Sequence, residues 1–115
     1  MSPLDARPVA GDVAPYFALR DADGTERTLT AAAGSWLALY FYPKDDTPGC
    51  TIEACEFRDA ERALHDAGAI VWGVSPDDQG SKAAFRDKFS LNFPILADEG
   101  HTVAEAYGVW GERTV

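Results

Sequence analysis

The sequence is poor in basic residues, and it has no long apolar run. Ten Lys and Arg stand against nineteen Asp and Glu, which gives a formal net charge of −9. Such a surface repels phosphate groups, so this balance argues against nucleic acid as a partner. No apolar stretch approaches the roughly 20 residues that a membrane helix needs, and residues 1–11 lack the basic and then apolar order of a signal peptide. We therefore expect a cytoplasmic protein that does not associate with a membrane.

The rest of the composition is typical of a folded domain. Hydrophobic residues make up 46% of the chain and aromatic residues 11%, which is more apolar material than disordered chains contain. The length of 115 residues falls within the roughly 50 to 200 residues of a single domain. We find no internal repeat, low-complexity tract or linker, so we predict one domain over residues 1–115.

The sequence has only two cysteines, Cys50 and Cys55, which lie five positions apart. A disulfide between them would close a small loop and constrain the unfolded chain little, so a purely structural bond explains the pair poorly. In a cytoplasmic protein, a close pair indicates redox chemistry or metal binding instead. Zinc ligands usually pair at shorter spacing, and the two histidines, His65 and His101, are far apart in the chain. We therefore expect no metal site and expect both histidines to face solvent.

Short apolar segments predict the strands. Residues 16–19 and 25–29 alternate between polar and apolar side chains around an Asp-Gly turn, which is typical of a β-hairpin. The continuous apolar runs at residues 36–42 and 69–74 predict strands buried on both faces. Residues 93–96 predict a shorter strand.

Helical spacing of apolar residues predicts three helices. The first begins near Cys50 and ends at Gly68, and the others include residues 83–89 and 102–107. From residue 36 onward, strands and helices therefore alternate. This order predicts an α/β fold with a mostly parallel sheet that is covered on both faces.

Cys50 lies where a loop leads from the carboxyl end of a strand into a helix. The free amides and the positive end of the helix dipole favour the thiolate, which is the nucleophilic form of cysteine. If Cys55 lies in the same helix, five helical residues separate the two Cα atoms by roughly 8 to 9 Å. A disulfide tolerates at most about 7 Å, so the first turn must unwind before the bond forms. The pair is thus predicted to act as a redox switch.

The segment FYPKDDTPGCT at residues 41–51 resembles the active-site signature of peroxiredoxins, Pro-x-x-x-Thr-x-x-Cys. The second cysteine, five residues on, is similar to the subfamily called bacterioferritin comigratory protein or peroxiredoxin Q. The resemblance runs from about residue 8 to the end of the chain. Three further stretches resemble the same subfamily in the expected order, at residues 73–77, 93–98 and 106–110.

This resemblance implies a thioredoxin-like fold and a thiol peroxidase that reduces hydrogen peroxide and organic hydroperoxides. Cys50 would be the peroxidatic cysteine that becomes a sulfenic acid, and Cys55 would resolve it to a disulfide. Thr47 would hydrogen-bond the sulfur and the peroxide, and Pro43 would shield the pocket from water. The alternatives, that Thr47 only caps the helix and that Pro43 only ends the strand, stay open. Thioredoxin or a similar dithiol would reduce the disulfide, and no cofactor is implied.

Acidic residues surround Cys50 in the sequence. The carboxylates of Asp45, Asp46 and Glu53 oppose a neighbouring thiolate, so we expect a basic group to offset them. Peroxiredoxins use an arginine that follows the Tyr-Gly-Val helix. Arg113 precedes the position where that arginine is expected, so the role is not assigned to it. Lys44 and Arg58 are nearer in sequence, but both are typical surface charges.

The final strands and closing helix of the family have no counterpart in this sequence. We therefore expect a C-terminally incomplete domain with an exposed sheet edge and an exposed apolar face. The native protein is expected to be a monomer, whereas a fragment can associate. Two other functions stay open, namely a redox sensor or binding module that uses the same disulfide switch and an inactive fragment.

Overall fold

Five strands and three α-helices make up residues 8–110, the part of the chain that this computed structural model describes. No helix in this part is long and apolar enough to cross a membrane. The elements follow the predicted alternation, and most boundaries shift by only one or two residues. The elements are β1 (Ala18–Asp21), β2 (Glu26–Thr28), β3 (Trp36–Phe41), α1 (Pro48–Asp66), β4 (Ala69–Ser75), α2 (Gln79–Phe89), β5 (Ile95–Ala97) and α3 (Thr102–Ala106), with a short 3-10 helix at Thr30–Ala32.

The strands form one mixed sheet in the order β2-β1-β5-β4-β3. β3 pairs with β4 and β4 pairs with β5 in parallel, as the alternation of strands and helices predicts. β1 pairs antiparallel with both β2 and β5, so the N-terminal hairpin extends the sheet at one side. The α/β class and the hairpin are confirmed, whereas half of the pairings are antiparallel.

Helices α1 and α2 cover the same face of the sheet. Their apolar sides meet a core that includes Val71, Phe85 and Ile95, and Tyr40 packs against this core. The ring of Tyr40 stacks on Phe57 of α1 with the centroids 4.6 Å apart. This aromatic layer fills the space between β3 and the helix that carries both cysteines.

The opposite face is only partly covered within residues 8–110. The main buried apolar residues here are Phe17, Trp72, Val74 and Leu96, and residues of α3 pack beside them. An open cavity of about 740 Å³ remains over the exposed part of this face. Its lining includes Leu39, Phe41, Val74, Ala104, Val109 and Trp110.

The prediction that residues 36–42 are buried on both faces is wrong. β3 is an edge strand, and Trp36 at its start is 80% exposed. Leu39 and Phe41 face the open cavity and are only half-buried. The expected exposed edge and apolar face are therefore both present in the described part of the chain.

Gly73 provides a direct test of the packing around Tyr40. A Cβ atom at Gly73 would lie 2.9 Å from the Tyr40 ring, which is stacked on both sides and has little room to move. We expect Gly73→Ala to lower the free energy of unfolding by about 1 to 3 kcal/mol, as overpacked cores do. Urea unfolding monitored by circular dichroism measures the change.

Gly49→Ala is the matched control for this substitution. Gly49 has open space around its Cβ position and lies within α1, so alanine should leave stability unchanged or raise it by up to about 1 kcal/mol. If the two variants unfold at the same urea concentration, the close approach of Gly73 to Tyr40 does not constrain the core.

Candidate active site

The loop after β3 places Cys50 in the first turn of α1. Thr47 is the N-cap residue, and its carbonyl oxygen accepts a hydrogen bond of 2.8 Å from the amide of Thr51. Pro48 begins the helix, where its fixed φ angle and missing N–H are best tolerated. Cys50 is therefore the third helical residue, close to the free amides and the positive end of the dipole. The predicted location at a helix N-terminus is confirmed.

Both cysteines are free, partly exposed thiols in the same helix. Five helical residues separate their Cα atoms by roughly 8 to 9 Å, which exceeds the reach of a disulfide. Ala54, which directly precedes Cys55, is buried to 1% exposure in the core beneath α1. Cys50 lies nearer the free end of the helix than this anchored position. The intact helix therefore holds the two thiols apart.

Tyr40 packs in the same core as Cys50. Burial raises the pKa of Tyr40 above its usual range, and the nearby negative charge of Glu53 raises it further. The Tyr40 hydroxyl is buried, and it has no hydrogen-bond partner among the described residues. Tyr40 therefore stays a neutral phenol against the helix turn that carries Cys50.

The side chain of Thr47 does not cap the helix. Its hydroxyl donates a hydrogen bond of 3.3 Å to the carbonyl oxygen of Lys44 and makes no bond to the amides of α1. Pro43 directly follows β3, is exposed and borders the open cavity of about 740 Å³. Neither cysteine is among the described residues that line this cavity.

The expected basic groups near the acidic loop come from α2. Lys82 is completely buried, and its Nζ lies 2.9 Å from Oδ1 of the buried Asp45. Lys88, one and a half turns further along, pairs with Asp46 at 2.7 Å on the surface. Burial lowers the pKa of Lys82, and the nearby negative charge of Asp45 opposes that shift.

Lys82 was missed by the sequence analysis. Its signal is its spacing, because it lies three positions before Phe85 and seven before Phe89, on the apolar side of α2. Arg58 lies at the surface as predicted, with 32% of its side chain exposed, but it also makes a contact between two helices. Its Nη1 donates a 2.7 Å hydrogen bond to the carbonyl oxygen of Phe89, which ties α1 to the end of α2. Lys44 is exposed as predicted, and Arg113 lies outside the described residues.

The two histidines take different positions. His65 is exposed, as predicted. His101 is only partly exposed, because its ring stacks on Trp110 with the centroids 4.0 Å apart. Within residues 8–110, no group of three or more histidine, cysteine or acidic side chains is arranged to hold a metal ion.

Comparisons with known proteins show which family this chain resembles. Residues 10–115 match the model of the AhpC/TSA family. Peroxiredoxin Bcp of Escherichia coli is 46% identical over 99% of this chain and 70% of its own length. Peroxiredoxin Q of wheat chloroplasts, from Triticum aestivum, is 48% identical over 86% of this chain and 46% of its own length.

Solved structures show the same fold. Peroxiredoxin Q of Xanthomonas campestris superimposes with a TM-score of 0.82 and 40% identity, covering 84% of this chain and 61% of its own. A related structure concerns the alkyl peroxide reduction activity of the Xanthomonas campestris bacterioferritin comigratory protein. This chain spans less than two thirds of those crystallised chains. The thioredoxin-like fold predicted from the sequence is confirmed, and the chain belongs to the AhpC/TSA family, as its resemblance to the peroxiredoxins predicted.

Proposed function

We propose that this chain carries the site of a thiol peroxidase in which Cys50 is the peroxidatic cysteine and Cys55 the resolving cysteine. The observation that carries the proposal is a free, partly exposed Cys50 in the first turn of α1, within the sequence Pro-x-x-x-Thr-x-x-Cys. Hydrogen peroxide and organic hydroperoxides are the proposed substrates. The activity of the Xanthomonas campestris relative towards alkyl peroxides supports the second class.

In the first step, the Cys50 thiolate attacks one oxygen of the hydroperoxide. A sulfur–oxygen bond forms as the O–O bond breaks, and the leaving oxygen takes up a proton to become water or an alcohol. The peroxide is reduced by two electrons and Cys50 is oxidised to the sulfenic acid. Thr47, three residues before Cys50, is proposed to hydrogen-bond the reacting oxygens, and Pro43 to limit the access of water.

In the second step, the Cys55 sulfur attacks the sulfenic sulfur of Cys50. A disulfide forms and water leaves, so no further oxidant is required. An external dithiol, for which we propose thioredoxin or a similar protein, then reduces this disulfide by exchange and becomes oxidised itself. We propose a monomer that works in the cytoplasm, where such dithiols are kept reduced.

The assigned roles of the two cysteines can be separated by intact mass. Mixed with one equivalent of hydrogen peroxide, the reduced protein should rapidly lose two hydrogens as the disulfide forms. Cys55→Ser should stop at a sulfenic acid with one added oxygen, whereas Cys50→Ser should react as slowly as free cysteine. Equal reactivity of the two cysteines, or slow oxidation of the parent protein, contradicts a peroxidase and favours the redox sensor.

Thr47 can be tested apart from any contribution to helix stability. Thr47→Val removes the hydroxyl and should slow the reaction of Cys50 with peroxide by about 10²-fold, the usual cost of one lost donor. Thr47→Ser keeps the hydroxyl and should stay close to the parent rate. Because the Thr47 side chain makes no cap bond, both variants should unfold at similar urea concentrations. Equal peroxide rates in the two variants would rule out the proposed role.

Unwinding of the first turn can be followed by amide exchange. We expect the oxidised protein to lose protection over residues 50–56, because an intact helix holds Cys50 and Cys55 too far apart for a disulfide. The control is Cys55→Ser treated with the same peroxide, which cannot form the bond and should keep its protection. Equal protection in the reduced and oxidised parent would mean that the disulfide forms without opening the helix.

A further inference from the structure

A buried polar cluster lies behind the loop that carries the peroxidase motif. At its centre, the Nζ of Lys82 donates hydrogen bonds to Oδ1 of Asp45 at 2.9 Å, to the hydroxyl of Tyr42 at 3.1 Å and to the hydroxyl of Ser75. These three partners satisfy all three donors of the ammonium group. Tyr42 in turn donates to Oδ1 of Asp45 at 2.6 Å.

Both the carboxylate and the backbone amide of Asp45 form hydrogen bonds to other parts of the chain. Its Oδ2 accepts a 2.8 Å hydrogen bond from the hydroxyl of Ser81, at the start of α2. Its backbone amide donates a 2.7 Å bond to Oδ2 of Asp77, in the turn after β4. Asp77 also accepts from the hydroxyl of Ser75 at 2.8 Å. Asp45 thus links the loop before Cys50 to β4, to the turn that follows β4 and to α2.

The chain on the Cys50 side of Asp45 is held much more weakly. Asp46 has a left-handed φ of 60° and is exposed, and its ion pair with Lys88 lies at the surface. From Asp46 to Glu53 no residue is buried, and Ile52 is 61% exposed. The next buried residue is Ala54. Residues 46–53 therefore lie between two buried points, and they include the turn that must open before Cys50 reaches Cys55.

We propose that the buried Lys82–Asp45 pair is a positioning device that fixes the loop before Cys50 and sets the N-terminal limit of the segment that unwinds. This inference rests on the proposed peroxidase function. The pair keeps Pro43 and Thr47 in place relative to Cys50 while the helix turn is closed. A buried ion pair is itself weak evidence for stability, because its desolvation opposes its attraction. Its location beside the motif gives a positional reason for its presence.

The proposal predicts a selective effect on the peroxide reaction. The attack on the O–O bond needs Cys50 and Thr47 in one geometry, whereas alkylation by iodoacetamide needs only an accessible thiolate. Release of the loop from Lys82 should therefore slow the reaction with peroxide much more than the alkylation by iodoacetamide. Formation of the disulfide, which requires an open turn, should not slow at all.

The experiment compares Lys82→Met with the double variant Asp45→Asn, Lys82→Met in the 115-residue chain. The single variant leaves an unpaired buried carboxylate and is expected to lose stability, whereas the double variant removes both charges and should regain part of it. In both, we expect the rate constant of Cys50 with hydrogen peroxide to fall by about 10- to 100-fold. The rate with iodoacetamide should change by less than about threefold, because positioning matters little to that reaction.

Lys88→Met is the matched control, since it removes a lysine of the same helix that pairs with the same loop at the surface. Its peroxide rate should stay within about twofold of the parent, because exposed ion pairs contribute little. A folded double variant with the parent peroxide rate would overturn the positioning role. Equal loss of both rates would do the same, since it indicates general unfolding.

Amide exchange separates failure of this inference from failure of the proposed function, because it needs no peroxide. In the reduced parent, the Asp45 amide should be protected while the amides of Asp46, Thr47 and Gly49 exchange quickly. In the double variant, protection of the backbone amide at position 45 should fall to the level of its neighbours. Unchanged protection would overturn the positioning role of the Lys82–Asp45 pair even if the parent is an active peroxidase. Lost protection would support that role even if the parent is inactive.

Discussion

Cys50 and Cys55 lie in one continuous helix, and this geometry constrains the rest of the site. The ordered first turn of α1 presents amides and a positive dipole end to the Cys50 sulfur, which favours attack on a peroxide. The same turn keeps that sulfur out of reach of Cys55. In the proposed cycle it must therefore be stable enough to form and weak enough to open. Its composition fits both needs, because Pro48 and Gly49 begin it and Ile52 is largely exposed, so little apolar burial holds it closed.

The remainder of the fold supplies a rigid frame around this weak turn. β3 ends beside β4, with Phe41 opposite Val74, so the loop to α1 leaves from the carboxyl end of a parallel pair. Below the helix, the Tyr40 ring lies against Phe57 and above Gly73, and Ala54 is buried against the same layer. Local opening is least costly where few buried contacts are lost. In the proposed cycle, the division between the fixed and the opening parts of α1 thus follows from where burial begins.

The sequence predicts the elements well because their signals are local. An Asp-Gly turn between alternating residues, or apolar residues at helical spacing, depends only on neighbours in the chain. The burial of β3 was predicted wrongly because it depends on contacts with distant parts of the chain. An apolar run such as residues 36–42 does not reveal whether strands lie on both sides of it, and within the described residues β3 has a neighbouring strand, β4, on one side only. The position of Cys50 was predictable because its loop and helix start are adjacent in sequence. Lys82 was harder to predict. Its helical spacing with Phe85 and Phe89 is a signal of burial, but a helix lysine is usually exposed, and its burial depends on Asp45, which lies far away in the chain.

The number of acidic residues near Cys50 does not by itself give their effect on its thiol, because these residues differ in burial and pairing. Asp45 is buried, and a buried cation, Lys82, lies 2.9 Å from it, so neither charge acts alone on the thiol. Asp46 and Glu53 are exposed, where water and salt reduce their effect on a neighbouring anion. The carboxylate of the loop before Cys50 that lies in the low-dielectric interior is therefore the one that the fold pairs with a buried cation. The net charge of −9 therefore does not describe the surroundings of Cys50, where one acidic residue is paired inside the protein and two are exposed to solvent.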